Sequence, residues 1–389
     1  MSRTTRIYLD NAATSFPKPV AVYTAIDTYN RKIGAPADRG TYHQAVEVHA
    51  MIQRCRKRAS EILGAETTEQ IVFTFNATDS LNLALHGIIN PGDHVVTSVL
   101  EHNSIRRPLR ELRERLHVEV TCIDADESGL VDANSIRAAI KPNTKLVALI
   151  HASNVTGTIQ PIVDVGRIAN ESGALFLVDA AQTVGHVPIN VRDLPVDLLA
   201  CAGHKGLLGP LGTGLLYVRP GVEHRLKSFR QGGTGSQSED DHQPEKLPEK
   251  YESGNHNVSA LYGLEAGLAF LQERGIEWVH QHEQQLTAAL LDGLEGISGL
   301  NILGPQSNDG RVGVVSIAVD GFEPQILATI LDEQFGIQTR AGLHCAPGTH
   351  KCIGTLNSGG TVRFSPGAFN TREDIDATIH ALQEITSSN

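Results

Sequence analysis

From Leu175 to Gly206 the chain reads LFLVDAAQTVGHVPINVRDLPVDLLACAGHKG. Two runs within it, LFLVDA (Leu175–Ala180) and DLLACAG (Asp197–Gly203), are short and apolar, and each runs directly into polar residues. Such runs suit strands buried on both faces of a sheet. Four more lie around them: QIVFTF (Gln70–Phe75), HVVTSV (His94–Val99), KLVALIH (Lys145–His151) and TGLLYV (Thr213–Val218). Helical patterns at His43–Leu63, Ser80–Ile89 and Pro161–Glu171 fall between the runs. This alternation predicts an α/β fold with a mostly parallel sheet covered on both faces. In such folds ligands bind beyond the carboxyl ends of the strands, so the residues just after each run are the ones to examine.

Beyond Val218 the alternation stops. Gln231–Gly254 is rich in glycine, proline and charge, and reads as a long surface loop, of a length that is usually functional or mobile. A helical pattern follows over about Ala260–Leu294, with Leu261, Leu264, Leu268 and Leu271 on one face. Next come a strand at Val312–Val319, a helix at Pro324–Phe335, and a last helix capped by Thr371 with Ile375, Ile379 and Leu382 inward. This tail reads as a separate α+β domain.

The 389 residues suffice for two or three domains, and 40% hydrophobic against 20% charged is a globular mix. Thirty-three basic and 44 acidic residues give a net charge of −11, which argues against a general binder of nucleic acid or anionic membrane. No apolar run reaches the length of a membrane span, and Asp10 interrupts any signal-like segment. Five widely spaced cysteines fit a reducing cytoplasm better than a disulfide framework.

Asp179 follows one buried run and Lys205, in His-Lys-Gly, follows the next. A buried carboxylate needs a partner. A lysine that bonds an aldehyde, with an aspartate against a pyridine nitrogen, is the pairing that pyridoxal 5'-phosphate (PLP) chemistry requires. At Asn76–Ser80 a strand opens into a helix, a place suited to a phosphate. Asn154 and His102 follow other runs, where an amide can meet a cofactor hydroxyl and an imidazole can stack on a ring or pass protons. In RAGLHCAPGTHKC (Arg340–Cys352), Cys345 can be a metal ligand, a buried thiol or a nucleophile. Four ligands within nine residues leave little backbone to wrap a metal. Flanking Gly342 and Pro347 suggest an exposed loop, and Arg340, Arg363 and His344 would favour an attacking thiolate. Cys352 reads as structural, and Cys55, Cys122 and Cys201 as packing.

The ordered set YLDNAAT, FNATDSLN, EHNS, SNVTGT, VDAAQ, GHK, YESG, RAGLHCAP and VRFSPGAFNT resembles class V aminotransferase-fold enzymes. Among these it is most similar to the group II cysteine desulfurases, which overlap with selenocysteine lyases. The resemblance implies a fold-type I PLP-dependent transferase, a homodimer, with an N-terminal arm (1–19) packing with the small domain. A PLP-binding large domain (20–259) and a small C-terminal domain (260–389) carrying Cys345 and Arg363 would complete it. It implies Lys205 as the Schiff-base lysine, Asp179 on the pyridine nitrogen and His102 stacked on the ring. Asn154 and Gln182 would hold the phenolic oxygen, with Thr78 and His204 on the phosphate and Arg363 on the substrate α-carboxylate. Cys345 would accept sulfur from L-cysteine as a persulfide, releasing L-alanine, before an acceptor protein takes it. Ala77, Ala202 and Asn255 stand where relatives carry hydroxyl residues around the phosphate, and Asn255 replaces a threonine that reaches the neighbouring subunit's site. Selenocysteine lyase, C–S lyase or transaminase chemistry on the same scaffold, and a PLP-binding or sulfur-carrying protein without activity, are the alternatives.

Overall fold

The computed structural model describes residues 6–37, 40–236 and 239–387; residues 1–5 of the expected arm lie outside these. Thirteen strands follow in chain order: β1 (Ile7–Tyr8), β2 (Ile71–Thr74), β3 (His94–Ser98), β4 (Glu119–Ile123), β5 (Thr144–Ile150), β6 (Leu175–Asp179) and β7 (Leu198–Ala202). Then come β8 (Gly214–Val218), β9 (Leu300–Leu303), β10 (Val315–Val319), β11 (Ile337–Gln338), β12 (Arg340–Gly342) and β13 (Thr361–Phe364). The large sheet has the order β2-β8-β7-β6-β5-β3-β4. Only β8 runs against its neighbours, so the other six strands point their carboxyl ends to one side. All six apolar runs form its strands, and five of these six are buried at every position. Lys145 is the exposed exception, on β5.

Two apolar layers cover the sheet. One includes Val48 and Ile52 of the helix His43–Leu63, and the other Leu81 and Leu85 of the helix Ala77–Ile88. The helical pattern after Ala260 is two helices, Val258–Arg274 and Ile276–Leu294, broken at Gly275, whose φ of +86° suits glycine. Leu261, Leu264, Leu268 and Leu271 pack into the large-sheet core, while Leu286, Leu290 and Leu294 pack into the small-domain core. Val279, in the second helix, still packs into the large-sheet core, so the helices pass from one core to the other between Val279 and Leu286.

The small domain holds the four-stranded sheet β12-β13-β10-β9. The N-terminal arm joins it: β1 pairs in parallel with β11, and Leu9 is buried in its core. Three successive carbonyls after β5 accept hydrogen bonds from this domain. Arg363 Nη1 donates to Asn154 O (3.0 Å), Ser316 Oγ to Val155 O (2.6 Å) and Arg311 Nη2 to Thr156 O (2.7 Å). Arg311 and Arg363 are both wholly buried, so these bonds form in a low-dielectric setting that strengthens them. They hold the loop after β5 against the arginine-bearing strand.

Candidate active site

At the common end of the six co-directional strands, residues from the exits of five of them, all but β4, surround a cleft of about 210 Å³. Asp179 is the last residue of β6, in register with Ala200 of the neighbouring β7, and Lys205 lies in the turn just beyond β7. The two face the same cleft. Burial pushes the Asp179 carboxyl up, opposed by the Ala181 amide at 3.0 Å and by Lys205. Burial takes the Lys205 amine down to about 8, with Asp179 pulling the other way and Arg363 and Arg340 adding to the fall. An amine so placed sheds its proton far more readily than a surface lysine.

His102 caps the helix Asn103–Leu116. Its Nδ1 accepts the Ser104 amide at 3.1 Å, which leaves the ring proton on Nε2. Burial, and then Lys205, hold His102 down to about 4, so the ring is neutral at pH 7. Ser104 Oγ lies 2.8 Å from the same nitrogen and 2.7 Å from Thr78 Oγ1, joining two strand exits. Ser104 lines the cleft and was not singled out in the sequence; its position two residues past His102 at a helix start was the available signal. Ala77 and Thr78 also line the cleft, as the first residues of a helix whose opening amides lack intrahelical acceptors. Ala202 stands beside them.

Gln182 Nε2 donates to Ala12 O (3.0 Å), tying the arm to the site. The carbonyl of His204 accepts from Ser15 N, Thr14 Oγ1, Ser15 Oγ and Lys18 Nζ at 3.0–3.3 Å, so the arm also clamps the turn that carries Lys205. Arg363 Nη2 bonds Asp10 Oδ1 at 2.7 Å, another tie to the arm.

Four buried polar atoms of cleft residues make no hydrogen bond among the described residues: Asn154 Oδ1, His204 Nδ1, His344 Nδ1 and Arg363 Nε. Each such atom costs on the order of 1–3 kcal/mol unless something pairs with it. Four around one cleft mark a cavity made for a polar ligand. With an amine, a facing carboxylate and free helix-start amides, the donor set fits PLP.

Two expected site residues do not line this cleft. Asn255 lies in a separate pocket with Phe75, Arg230 and His256. Cys345 is exposed at the rim, where Arg340, itself a cleft residue, points Nη2 at Sγ from 3.7 Å. His344 and Cys345 both hold left-handed backbone, φ +48° and +59°, which non-glycine residues rarely adopt. Two bonds secure this bend: Asn154 Nδ2 to His344 O (2.7 Å) and the Asn103 amide to Cys345 O (2.9 Å). His344 was expected to add positive charge beside the thiol. Instead burial, with Arg363 next, drives it down to about 2, and its Nε2 pairs with Thr361 Oγ1. It is neutral, and Arg340 is the cation beside Cys345. His350 is buried against Thr355, and Cys352 Sγ donates to Ala125 O at 3.2 Å. Cys122, expected in packing, is exposed on β4.

The model of the family Aminotransferase class-V matches residues 7–378. A probable cysteine desulfurase of Methanothermobacter thermautotrophicus is 37% identical over 97% of this chain and 94% of its own length. The chain belongs to the class-V aminotransferase family. A cysteine desulfurase of Haloferax volcanii is 33% identical, with 97% of this chain and 88% of the relative covered. Among solved structures, the apo cysteine desulfurase of Thermococcus onnurineus matches with a TM-score of 0.92 at 34% identity, covering 99% of this chain and 95% of that one. The cysteine desulfurase CsdA of Escherichia coli gives 0.88 at 27%, covering 98% and 95%. The family and these likenesses agree with the fold expected from the alternating runs.

Behind His102 sits Glu101, fully buried, accepting from Ser98 Oγ (2.7 Å) and the Ile150 amide (3.1 Å). Burial pushes its carboxyl up to about 8, against the help of those donors. A carboxyl raised in the fold costs no stability at low pH. The cost grows as pH rises from the unfolded value near 4.5 and is complete above about 8. Glu101→Gln should therefore melt higher than wild type at pH 8.5, with the advantage gone by pH 5. Thermal melts at the two pH values check this.

Proposed function

We propose that this chain is a PLP-dependent cysteine desulfurase that converts L-cysteine to L-alanine and carries the sulfur on Cys345. The observation that supports this best is the pairing of Lys205 and Asp179 at adjacent strand ends, in one cleft with Arg363 and with Cys345 at its rim. Lys205 would hold the PLP aldehyde carbon, Asp179 the ring nitrogen, and His102 the ring face. Asn154 and Gln182 would hold the phenolic oxygen, with the Ala77 and Thr78 amides and His204 on the phosphate. When bound, PLP supplies an electron-accepting ring that stabilises negative charge on the substrate α-carbon.

The rest falls to the chain. Arg363 offers a guanidinium to the substrate carboxylate, anchored through Asp10 and the Asn154 carbonyl. Lys205, with its basicity lowered by burial, takes the α-proton. The Cys345 sulfur forms a bond to the substrate sulfur as the C–S bond breaks, beside the positive charge of Arg340. A homodimer belongs to the reading, as the family resemblance implies. No helix among the described residues is long and apolar enough to cross a membrane.

The test is to incubate purified protein with PLP, L-cysteine and a reductant and to measure alanine and sulfide together. Equal amounts of both are expected. Pyruvate in place of alanine would point to C–S lyase chemistry, and neither product would support an inactive scaffold.

A further inference from the structure

A second cleft, of about 1080 Å³, runs between the helix Asn103–Leu116, β4 and the helix Pro347–Cys352. Its lining is basic. Arg106, Arg107, Arg110 and Arg113 come from the first helix and Lys351 from the last, against only Glu114 and Asp124. In a chain of net charge −11 this is a local reversal of sign. Arg110 is held by Glu114 at 2.9 Å and Arg106 by the Val99 carbonyl. Arg107 and Arg113 are exposed and make no ion pair among the described residues. Val99, Leu109 and Val120 supply apolar lining beneath the charges.

Two further features narrow what can lie there. β4 closes the large sheet, so its outer main-chain groups have no strand partner among the described residues. An open edge of this kind accepts an extended segment. The cleft also ends beside the reacting thiol: the amide of Asn103, which lines it, donates to Cys345 O at 2.9 Å, and Pro347 and Gly348 line it too.

We infer that this cleft docks an acidic polypeptide bearing a free cysteine, which takes sulfur from Cys345. The inference rests on the sulfur-transfer reading above. Opposite charge attracts the segment and steers it into the groove, and the apolar lining with the β4 edge retains it. In the transfer, the acceptor thiolate bonds the outer sulfur of the Cys345 persulfide. The S–S bond to Cys345 breaks and its electron pair leaves with the Cys345 sulfur as a thiolate, while the outer sulfur goes to the acceptor as its new persulfide. One S–S bond replaces another, so no oxidant or reductant is consumed.

The probes are two labelled synthetic peptides of equal length, each ending in cysteine, one rich in Asp and Glu and the other with Asn and Ser in their place. Binding to the full chain is read by fluorescence anisotropy for wild type and for the double variant Arg107→Glu/Arg113→Glu. The acidic peptide should bind wild type at least about tenfold more tightly than the neutral one, and the gap should close in the variant and shrink with added salt. After L-cysteine is supplied, wild type should make the acidic peptide one sulfur heavier faster than the neutral one. Alanine formation with a small neutral thiol should be the same in wild type and variant. Equal binding of the two peptides, or unchanged binding in the variant, would overturn the inference. So would a single-stranded oligonucleotide that binds wild type more tightly than the acidic peptide and is lost in the variant. Absence of alanine from wild type with the small thiol would instead sink the sulfur reading, while anisotropy still decides the docking.

Discussion

Lys205→Ala is expected to reduce alanine formation from L-cysteine by about 10³-fold or more, because the proposed function gives this one side chain both the anchoring of the cofactor and the work of the base. Circular dichroism should show the fold intact, since Lys205 stands in a turn whose backbone the N-terminal arm clamps at His204. Stability supplies a second readout. Burial sets the amine at about 8 in the fold, below the 10.5 or so of an unfolded chain. A lowered lysine costs stability in full below its folded value, and the cost fades as pH climbs from there toward the unfolded one. Cofactor-free Lys205→Met should therefore melt above wild type at pH 7, and the two should converge as pH rises through 8 toward 10. Calorimetry of the cofactor-free proteins checks the sign. A variant less stable than wild type at pH 7 would mean that the amine is held by compensating contacts and is not strained by burial.

Cys345→Ala should abolish L-cysteine turnover, a loss of at least about 10²-fold, while L-cysteine still binds within about twofold of wild type. The split follows from position: Cys345 is at the rim, whereas the residues that would grip substrate line the cleft. L-Selenocysteine, whose selenium leaves more readily, should lose far less. Parallel assays of alanine from both substrates decide it. Undiminished L-cysteine turnover would remove the persulfide step from the account.

The strand exits were legible because their signal is local. An apolar run followed at once by Asp179 or Lys205 declares both a buried strand and its end. β4 escaped notice since EVTCI lies at the sheet edge, where Glu119 and Cys122 are exposed and no continuous apolar run is required. Cys122 was read as packing because it falls in an apparent regular element, but at the sheet edge its side chain is exposed. The charge on His344 could not be foreseen, because it depends first on how deeply the fold buries the ring and then on the nearness of Arg363. Nor could the bonds from Arg311 and Ser316 to the loop after β5, which join residues some 155 and 161 positions apart. No local periodicity encodes such contacts. Asn255 was named through resemblance alone, and within one chain it stays apart from the cleft.

The account turns on a single amine. Protein loaded with PLP, reduced with sodium borohydride and digested, should carry the pyridoxyl group on the peptide containing Lys205 and on no other, as read by mass spectrometry. A pyridoxyl group on a different lysine, or none at all after loading, would contradict it.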